Sequence, residues 1–144
     1  MDSLHAITMF LVSLCGWDAA DYAGDVASAA RRYDLDPRLV AATMWRESRC
    51  DPDATSAKGA VGLMQLKPRT WATAGYDRLT EAQLRRPALN ILLGARHLRR
   101  CLDRCGGFLA GALGLYSGLR KSRRTGQCRA SAYSDDILAR MGES

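Results

Sequence analysis

Four prolines, Pro37, Pro52, Pro68 and Pro87, punctuate the chain, and each stands at a junction between stretches of helical character. Proline lacks an N–H and clashes with the preceding turn, so it opens or breaks helices. Asp36 supplies an N-cap, and Pro37 takes the first helical position, where a missing N–H costs nothing. The helix opened there carries Leu39, Val40, Thr43, Met44 and Glu47. It is predicted to end between Ser48 and Cys50, because Pro52 disfavours helix at Asp51. Gly59 and Gly62 predict a shaped loop beyond it. Pro68 predicts a short helix to Ala74, stopped by Gly75. Thr80 and Gln83 form a capping-box pattern for another. Pro87 opens the longest helical run, to Arg104, which Gly106-Gly107 ends.

The remaining segments follow the same period. Asp18 or Asp21 is predicted to cap a helix reaching Tyr33, with Tyr22, Val26, Ala29, Ala30 and Tyr33 on one face. The small, apolar run Phe108 to Ser117 is predicted to be the central buried helix. Gly118 to Arg129 reads as a loop, and Ser131 to Met141 as a closing helix. Polar and apolar residues alternate only briefly, near Ala57 to Leu66. The predicted class is all-α, or α with a minimal β hairpin.

A length of 144 residues suits one domain with a sizeable core. Residues 1–17 are set apart as an N-terminal helix or a degenerate signal-like segment; residues 18–144 form the domain. Ala6 to Leu14 is apolar like a signal core, but Asp2 precedes it with no Lys or Arg, and Leu14 is a poor neighbour for a cleavage site. No apolar run is long enough to span a bilayer as a helix. The net charge of +6 rests on 18 Arg and 3 Lys against 15 Asp and Glu. Such a surface suits nucleic acid, anionic lipid or an acidic wall polymer. The run Arg120-Lys121-Ser122-Arg123-Arg124 has no interleaved aromatics, so nucleic acid is not the expected partner and a solvated loop is.

The cysteines are Cys15, Cys50, Cys101, Cys105 and Cys128; an odd number leaves at least one unpaired within the chain. His97, Cys101 and Cys105 share one helix face and, with Cys128, have the donor types of a zinc site. The paired short spacings of zinc motifs are missing, so no metal and no cofactor is predicted. A disulfide from Cys101 or Cys105 to Cys128 is the preferred reading, pinning the basic loop to the long helix.

The chemistry concentrates between Met44 and Leu66. Glu47 falls at the C-terminal end of its helix, where the negative end of the helix dipole disfavours a carboxylate. Burial beside Met44, Leu63 or Met64 disfavours it again, and both effects keep a proton available near neutral pH. A general acid for a glycosidic oxygen needs that property. Spacing alone favours a solvated surface acid. Asp51 and Asp53 are the nearby candidates for a second carboxylate, and turn formation is preferred for both.

The pattern Glu47-Ser48, then Ala54, Ser56, Gly59-Ala60, Gly62-Leu63-Met64-Gln65-Leu66, Pro68, Thr70 and Trp71, resembles the core signature of soluble lytic transglycosylase (SLT) domains. These are lysozyme-like enzymes that cleave peptidoglycan. Asn90-Ile91, Gly94-Ala95 and Leu98 resemble the family's long helix. Ala112-Leu113 with Tyr116-Ser117-Gly118 resembles its alanine-rich helix, and Tyr133 to Met141 its closing helix. The resemblance spans Asp18 to Met141. It implies a lysozyme-like helical fold with Glu47 as sole catalytic acid/base. That acid would cut the β-1,4 bond between N-acetylmuramic acid and N-acetylglucosamine and leave a 1,6-anhydro product. It further implies that Ser48, Ser56, Gly62, Met64, Gln65, Tyr116 and Ser117 bind substrate, with Gln65 on sugar and the Tyr116 hydroxyl near Glu47. Ser117 departs from the Asn usual after the tyrosine, which puts saccharide contacts at that corner in question.

The expected partner is the peptidoglycan glycan strand, with other subunits of a phage tail or secretion machine as further candidates. The site of action would be the periplasm or cell wall, reached by export or in a virion. A muramidase-type hydrolase and a non-catalytic wall-binding subunit are the alternatives.

Overall fold

Prolines and polar caps set the helix limits in the computed structural model, which describes residues 3–68, 73 and 78–142. The elements are α1 Leu4–Cys15, a 3-10 turn Trp17–Tyr22, α2 Ala23–Arg32, α3 Pro37–Ser48, α4 Glu81–Leu84, α5 Pro87–Arg104, α6 Leu109–Tyr116 and α7 Ala132–Met141. Among the described residues β structure amounts to two isolated antiparallel bridges, Thr55 with Val61 and Val61 with Leu66. The class is all-α. The short helix expected from Pro68 to Ala74, with its stop at Gly75, lies outside the described residues for most of its length.

Local chemistry explains most boundaries. Asp36 Oδ1 accepts the Arg38 amide at 2.8 Å, which caps α3 behind Pro37. The Thr80 hydroxyl accepts the Gln83 amide at 3.1 Å, and Gln83 Oε1 accepts the Thr80 amide at 2.9 Å, a reciprocal cap for α4. The region before α2 differs from expectation. Neither Asp18 nor Asp21 caps a helix; Gly16, at φ 84°, starts a 3-10 turn that passes directly into α2. The anticipated face survives the change, with Val26, Ala29 and Ala30 buried.

The central helix is α3, not the α6 run that its composition favoured. Leu39 through Trp45 are buried around the whole circumference of α3. It packs against α1, α2, α5 and α7. The Thr43 hydroxyl, fully buried, donates to Leu39 O at 2.7 Å, so the polar group is satisfied within the helix. α6 is buried along Gly111 to Gly114 but lies between α5 and α7 at the side of the core. Helix α1 docks on α2 and α3 through Ile7 and Leu11.

Two seams brace α3. Arg38 Nη1 donates to Met141 O at 3.1 Å, joining the start of α3 to the end of α7. Further along, the guanidinium groups of Arg49 and Arg140 both lie over the Trp45 ring, 4.0 and 4.3 Å from its centroid. Disulfides join Cys15 to Cys50 and Cys105 to Cys128. Of the two candidate partners for Cys128, Cys105 is bonded and Cys101 is a buried thiol.

Candidate active site

Glu47 occupies the last turn of α3, and the chain reverses at once behind it. Arg49 and Cys50 are both left-handed, at φ 55° and 62°, a conformation that costs non-glycine residues energy. The Arg49 contact with Trp45 and the Cys15–Cys50 bond hold that reversal. Asp51 Oδ1 accepts the Asp53 amide at 2.9 Å, so Asp51 and Asp53 shape the turn and lie exposed.

The loop that follows is tied down from several elements. The Ser48 hydroxyl donates to Leu63 O at 2.7 Å, linking α3 to the loop. Asn90 of α5 is fully buried; its amide donates to Val61 O at 3.0 Å and Leu84 O at 2.8 Å, and its Oδ1 accepts the Met64 amide at 2.7 Å. Tyr116 of α6 donates its hydroxyl to Met64 O at 2.8 Å. Gly62 has φ 82°, and a Cβ there would strike the Asn90 side chain. A Cβ on Gly94 would lie 2.5 Å from Met64 Cγ, so only glycine lets α5 approach the loop this closely. Arg85 grips the outer side, donating to Asp53 O, Ala54 O and Thr55 Oγ1 at 3.0, 3.3 and 2.5 Å.

This framework encloses one wall of a cleft of about 480 Å³. Glu47, Ser56, Gln65, Tyr116 and Ser117 line it, with Lys58, Lys67, His97 and Gly118 among the others. Glu47 is the one carboxylate among these lining residues. The seven residues expected on substrate therefore divide. Ser56, Gln65, Tyr116 and Ser117 face the cleft. Ser48, Gly62 and Met64 are buried behind its wall, where they fix the loop's shape. Gln65 has its own structural duty at φ 51°: its side-chain amide donates to Ala54 O at 3.1 Å and Gly62 O at 3.0 Å. The Ser117 hydroxyl is likewise engaged, donating to Gly114 O at 2.7 Å.

Tyr116 is near enough to feel the Glu47 charge, as expected, but its hydroxyl is spent on Met64 O and another tyrosine bonds the carboxyl. Tyr133 Oη, from the first turn of α7, donates to Glu47 Oε1 at 2.6 Å. Sequence reasoning passed over Tyr133, because 86 residues separate the pair and nothing local marks that ring. Burial raises the Glu47 carboxyl from 4.5 to about 7; the Tyr133 bond and the charge of Arg46 pull the other way and do not cancel it. Arg46 is itself held by Asp136 at 3.1 Å and lies over the Tyr133 ring at 5.1 Å. Burial also lifts the Tyr116 and Tyr133 hydroxyls well above 10, so both stay donors at any working pH. The arrangement can hold a proton on one carboxyl at neutral pH, on the wall of an open cleft.

His97 lines the same cleft, its ring 4.6 Å from that of Tyr116. Burial, with Arg100 and Arg104, lowers its pKa to about 4, so the imidazole is neutral. The zinc set that its helix face suggested does not exist, because Cys105 and Cys128 are consumed by their disulfide. Burial pushes the Cys101 thiol up to about 12. Among the described residues no cluster of His, Cys, Asp and Glu could hold a metal ion, and no helix is long and apolar enough to cross a membrane.

Known proteins resemble this chain in sequence and in fold. The chain is 38% identical over 97 residues to a transglycosylase of Enterobacteria phage PRD1, covering 67% of this chain and 35% of that protein. It is 38% identical over 76 residues to the endo-type membrane-bound lytic murein transglycosylase A of Klebsiella pneumoniae, covering 49% of this chain and 37% of that one. The chain thus spans about a third of the length of these curated relatives. In fold it is similar to an inactive mutant of the lytic transglycosylase Slt from Pseudomonas aeruginosa. That likeness has a TM-score of 0.71 at 21% identity and covers 89% of this chain and 24% of that one. Residues 25–135 match the transglycosylase SLT domain as a family, so the chain, with its half-buried Glu47 on the cleft, belongs to that family.

Proposed function

We propose that the protein is a peptidoglycan lytic transglycosylase that breaks the β-1,4 bond between N-acetylmuramic acid and N-acetylglucosamine. The observation that carries this reading is Glu47: a carboxyl held near pKa 7 by burial, bonded to Tyr133, and the one acid lining the cleft among the described residues. Protonated Glu47 donates to the glycosidic oxygen as the C1–O bond breaks, and the N-acetyl group of the muramoyl sugar stabilises the cationic centre. The resulting carboxylate then takes the proton of the muramoyl 6-hydroxyl, whose oxygen bonds to C1 and closes the anhydro ring. The proton count balances on one carboxyl, and no water is consumed. A hydrolase of the two-carboxylate type would need a second acid across the groove. Asp51 and Asp53 serve the turn instead, which favours the anhydro product.

Tyr133 is the positioning residue for Glu47. Ser56 and Gln65 supply polar groups toward sugar, and Tyr116 shapes the floor. The likeness to a phage transglycosylase supports a setting in which the domain opens the wall locally during genome entry, alongside other virion subunits. Lysis during assembly of a secretion machine is the same chemistry in a bacterial setting.

Purified sacculi incubated with the protein should release anhydro-muropeptides, read by mass spectrometry. Glu47→Gln should lower that release by about 10²- to 10⁴-fold while leaving the fold intact. Because the acid must start protonated, turnover should fall as pH rises through about 7. Reducing-end products alone would overturn the transglycosylase assignment, and full activity in Glu47→Gln would overturn the role of the acid.

A further inference from the structure

We propose that the far end of α6 carries a second binding pocket, separate from the catalytic cleft, that takes the free carboxyl end of a short peptide with small side chains; the wall as the source of that peptide rests on the glycan-cleaving reading above. Tyr116, the last residue of α6, lines the cleft. The second pocket, of about 370 Å³, opens at the other end of the helix, beside Phe108. Eight residues of helix set the two ends about 12 Å apart. Phe108 and the Cys105–Cys128 disulfide form the apolar wall of this pocket, and Arg104, Lys121 and Gln127 bring polar groups to it. Among the described residues no Asp or Glu lines it.

The apolar wall is preformed. A Cβ on Gly111 would lie 2.5 Å from Phe108 Cδ2 and 2.7 Å from Cys128 Cβ, so bare backbone there seats both the ring and the disulfide. Phe108 nonetheless keeps 51% of its surface exposed, which leaves an apolar face open to a ligand. The Ser122 amide donates to Gln127 O and the Gly126 amide to Ser122 O, both at 2.8 Å; this turn brings its flanks, Lys121 and Cys128, together. Of the two cations lining the pocket, Arg104 has a partner of its own, which leaves Lys121. Lys121 is half-buried, yet neither its ammonium nor the Gln127 side-chain amide has a hydrogen bond or ion pair among the described residues. Those groups define the ligand. An ammonium at a half-buried position with no acid in reach calls for an anion. A single compact ammonium beside one amide suits a carboxylate followed by a peptide group, whereas a phosphate is better met by guanidinium forks. The Phe108 face offers no hydrogen bond, so it suits a methyl-sized side chain and not a hydroxyl-rich sugar edge. A pocket of this size admits a residue or two and excludes a folded partner. With its cleft on one glycan strand and this pocket on a peptide end of another, the protein grips the wall at two points.

The test is an amide chemical-shift titration of the intact protein with four probes: N-acetyl-alanyl-alanine, the same peptide amidated at its carboxyl end, N-acetylglucosamine and inorganic phosphate. The free acid should shift the amides of Gly106, Gly126 and Gln127 with a Kd on the order of 1 mM. The amidated peptide should bind at least about 5-fold more weakly, and the sugar and phosphate more weakly than the acid. Lys121→Gln should bring the acid down to the level of the amidated peptide, Lys121→Arg should restore most of the loss, and Phe108→Ala should weaken both peptides by about 3-fold. The comparison of acid with amide uses the unaltered protein, so it decides the matter even where a variant misfolds. Equal affinity for the two peptides, shifts confined to the Glu47 cleft, or tighter binding of phosphate or sugar would each overturn the inference. A second arm sediments sacculi with the Glu47→Gln protein; adding Lys121→Gln should lower the retained affinity by about 3- to 10-fold. Unchanged retention would overturn the wall peptide as the source. The titration contains no glycan strand, so its failure leaves the lytic reading intact, and a wild type that cleaves no wall leaves the titration standing.

Discussion

Two irregular segments flank the cleft, and each is tethered at one point by a disulfide, Cys50 at the start of the 49–68 loop and Cys128 near the end of the 118–130 loop. Beyond that shared device they differ. The first loop buries Ala60 to Met64 and Leu66, and is hydrogen-bonded by Ser48, Asn90 and Tyr116 on three separate helices and by Arg85 just beyond α4. The second exposes most of its residues, and its hydrogen bonds are largely internal, such as Ser122 N to Gln127 O at 2.8 Å and Arg129 Nη2 to Arg120 O at 2.8 Å. One loop is held by many weak bonds that must all form together, the other chiefly by one covalent bond. A wall that positions a substrate beside Glu47 needs the first kind of support; a basic surface loop needs only the second.

The sharpest break is at Asn90. Asn90→Ala leaves the Val61 and Leu84 carbonyls and the Met64 amide unsatisfied in the interior. The expected loss is about 3–5 kcal/mol in urea unfolding, and lysis should fall with it. A variant as stable as the wild type would mean that the first loop is not held as described. Next comes Cys128→Ser, which opens the Cys105 tether across 23 residues. It should cost about 2–3 kcal/mol in thermal or chemical unfolding, with turnover of glycan strands retained. A matching collapse of turnover would erase the distinction between the loops.

Smaller effects refine the picture. Tyr133→Phe removes the donor to Glu47 Oε1, and turnover should fall by roughly 10-fold. That bond lowers the Glu47 pKa, so the alkaline limb of the pH profile should move upward. A downward or absent move would show that Tyr133 does not act on the carboxyl. Least of all, Arg123→Ala with Arg124→Ala should change unfolding stability by no more than about 0.5 kcal/mol, because both side chains are exposed on the second loop. A large loss would place hidden packing there.

Proton linkage gives a further check on the half-buried acid. Glu47 keeps its proton in the folded state between pH 4.5 and about 7, where the unfolded chain gives it up. Stability contributed by this group is therefore lost as pH rises across that window, by about 3 kcal/mol. The loss belongs to the same burial that keeps the acid ready, so the cleft wall is less stable for being functional.

Helix positions were largely legible in the residues themselves. Asp36-Pro37, Thr80 with Gln83, Pro87 and Gly106-Gly107 act through bonds spanning four residues or fewer, so the chain carries their instructions locally. The loop with Glu47 at its head was legible too, since glycines and a following proline forbid regular structure there. Of the decisions made between distant segments, the Cys128 tether was narrowed to two partners and the structure takes Cys105, while most others stayed hidden. Tyr133, not the nearby Tyr116, is hydrogen-bonded to Glu47; α3, not α6, is encased; Cys15 finds Cys50; and Ser48, Gly62 and Met64 face inward. Periodicity tells which face of a helix is apolar, but not which neighbour covers it. Only the packing of α3, α5, α6 and α7 around one loop brings a tyrosine within 2.6 Å of an acid 86 residues away.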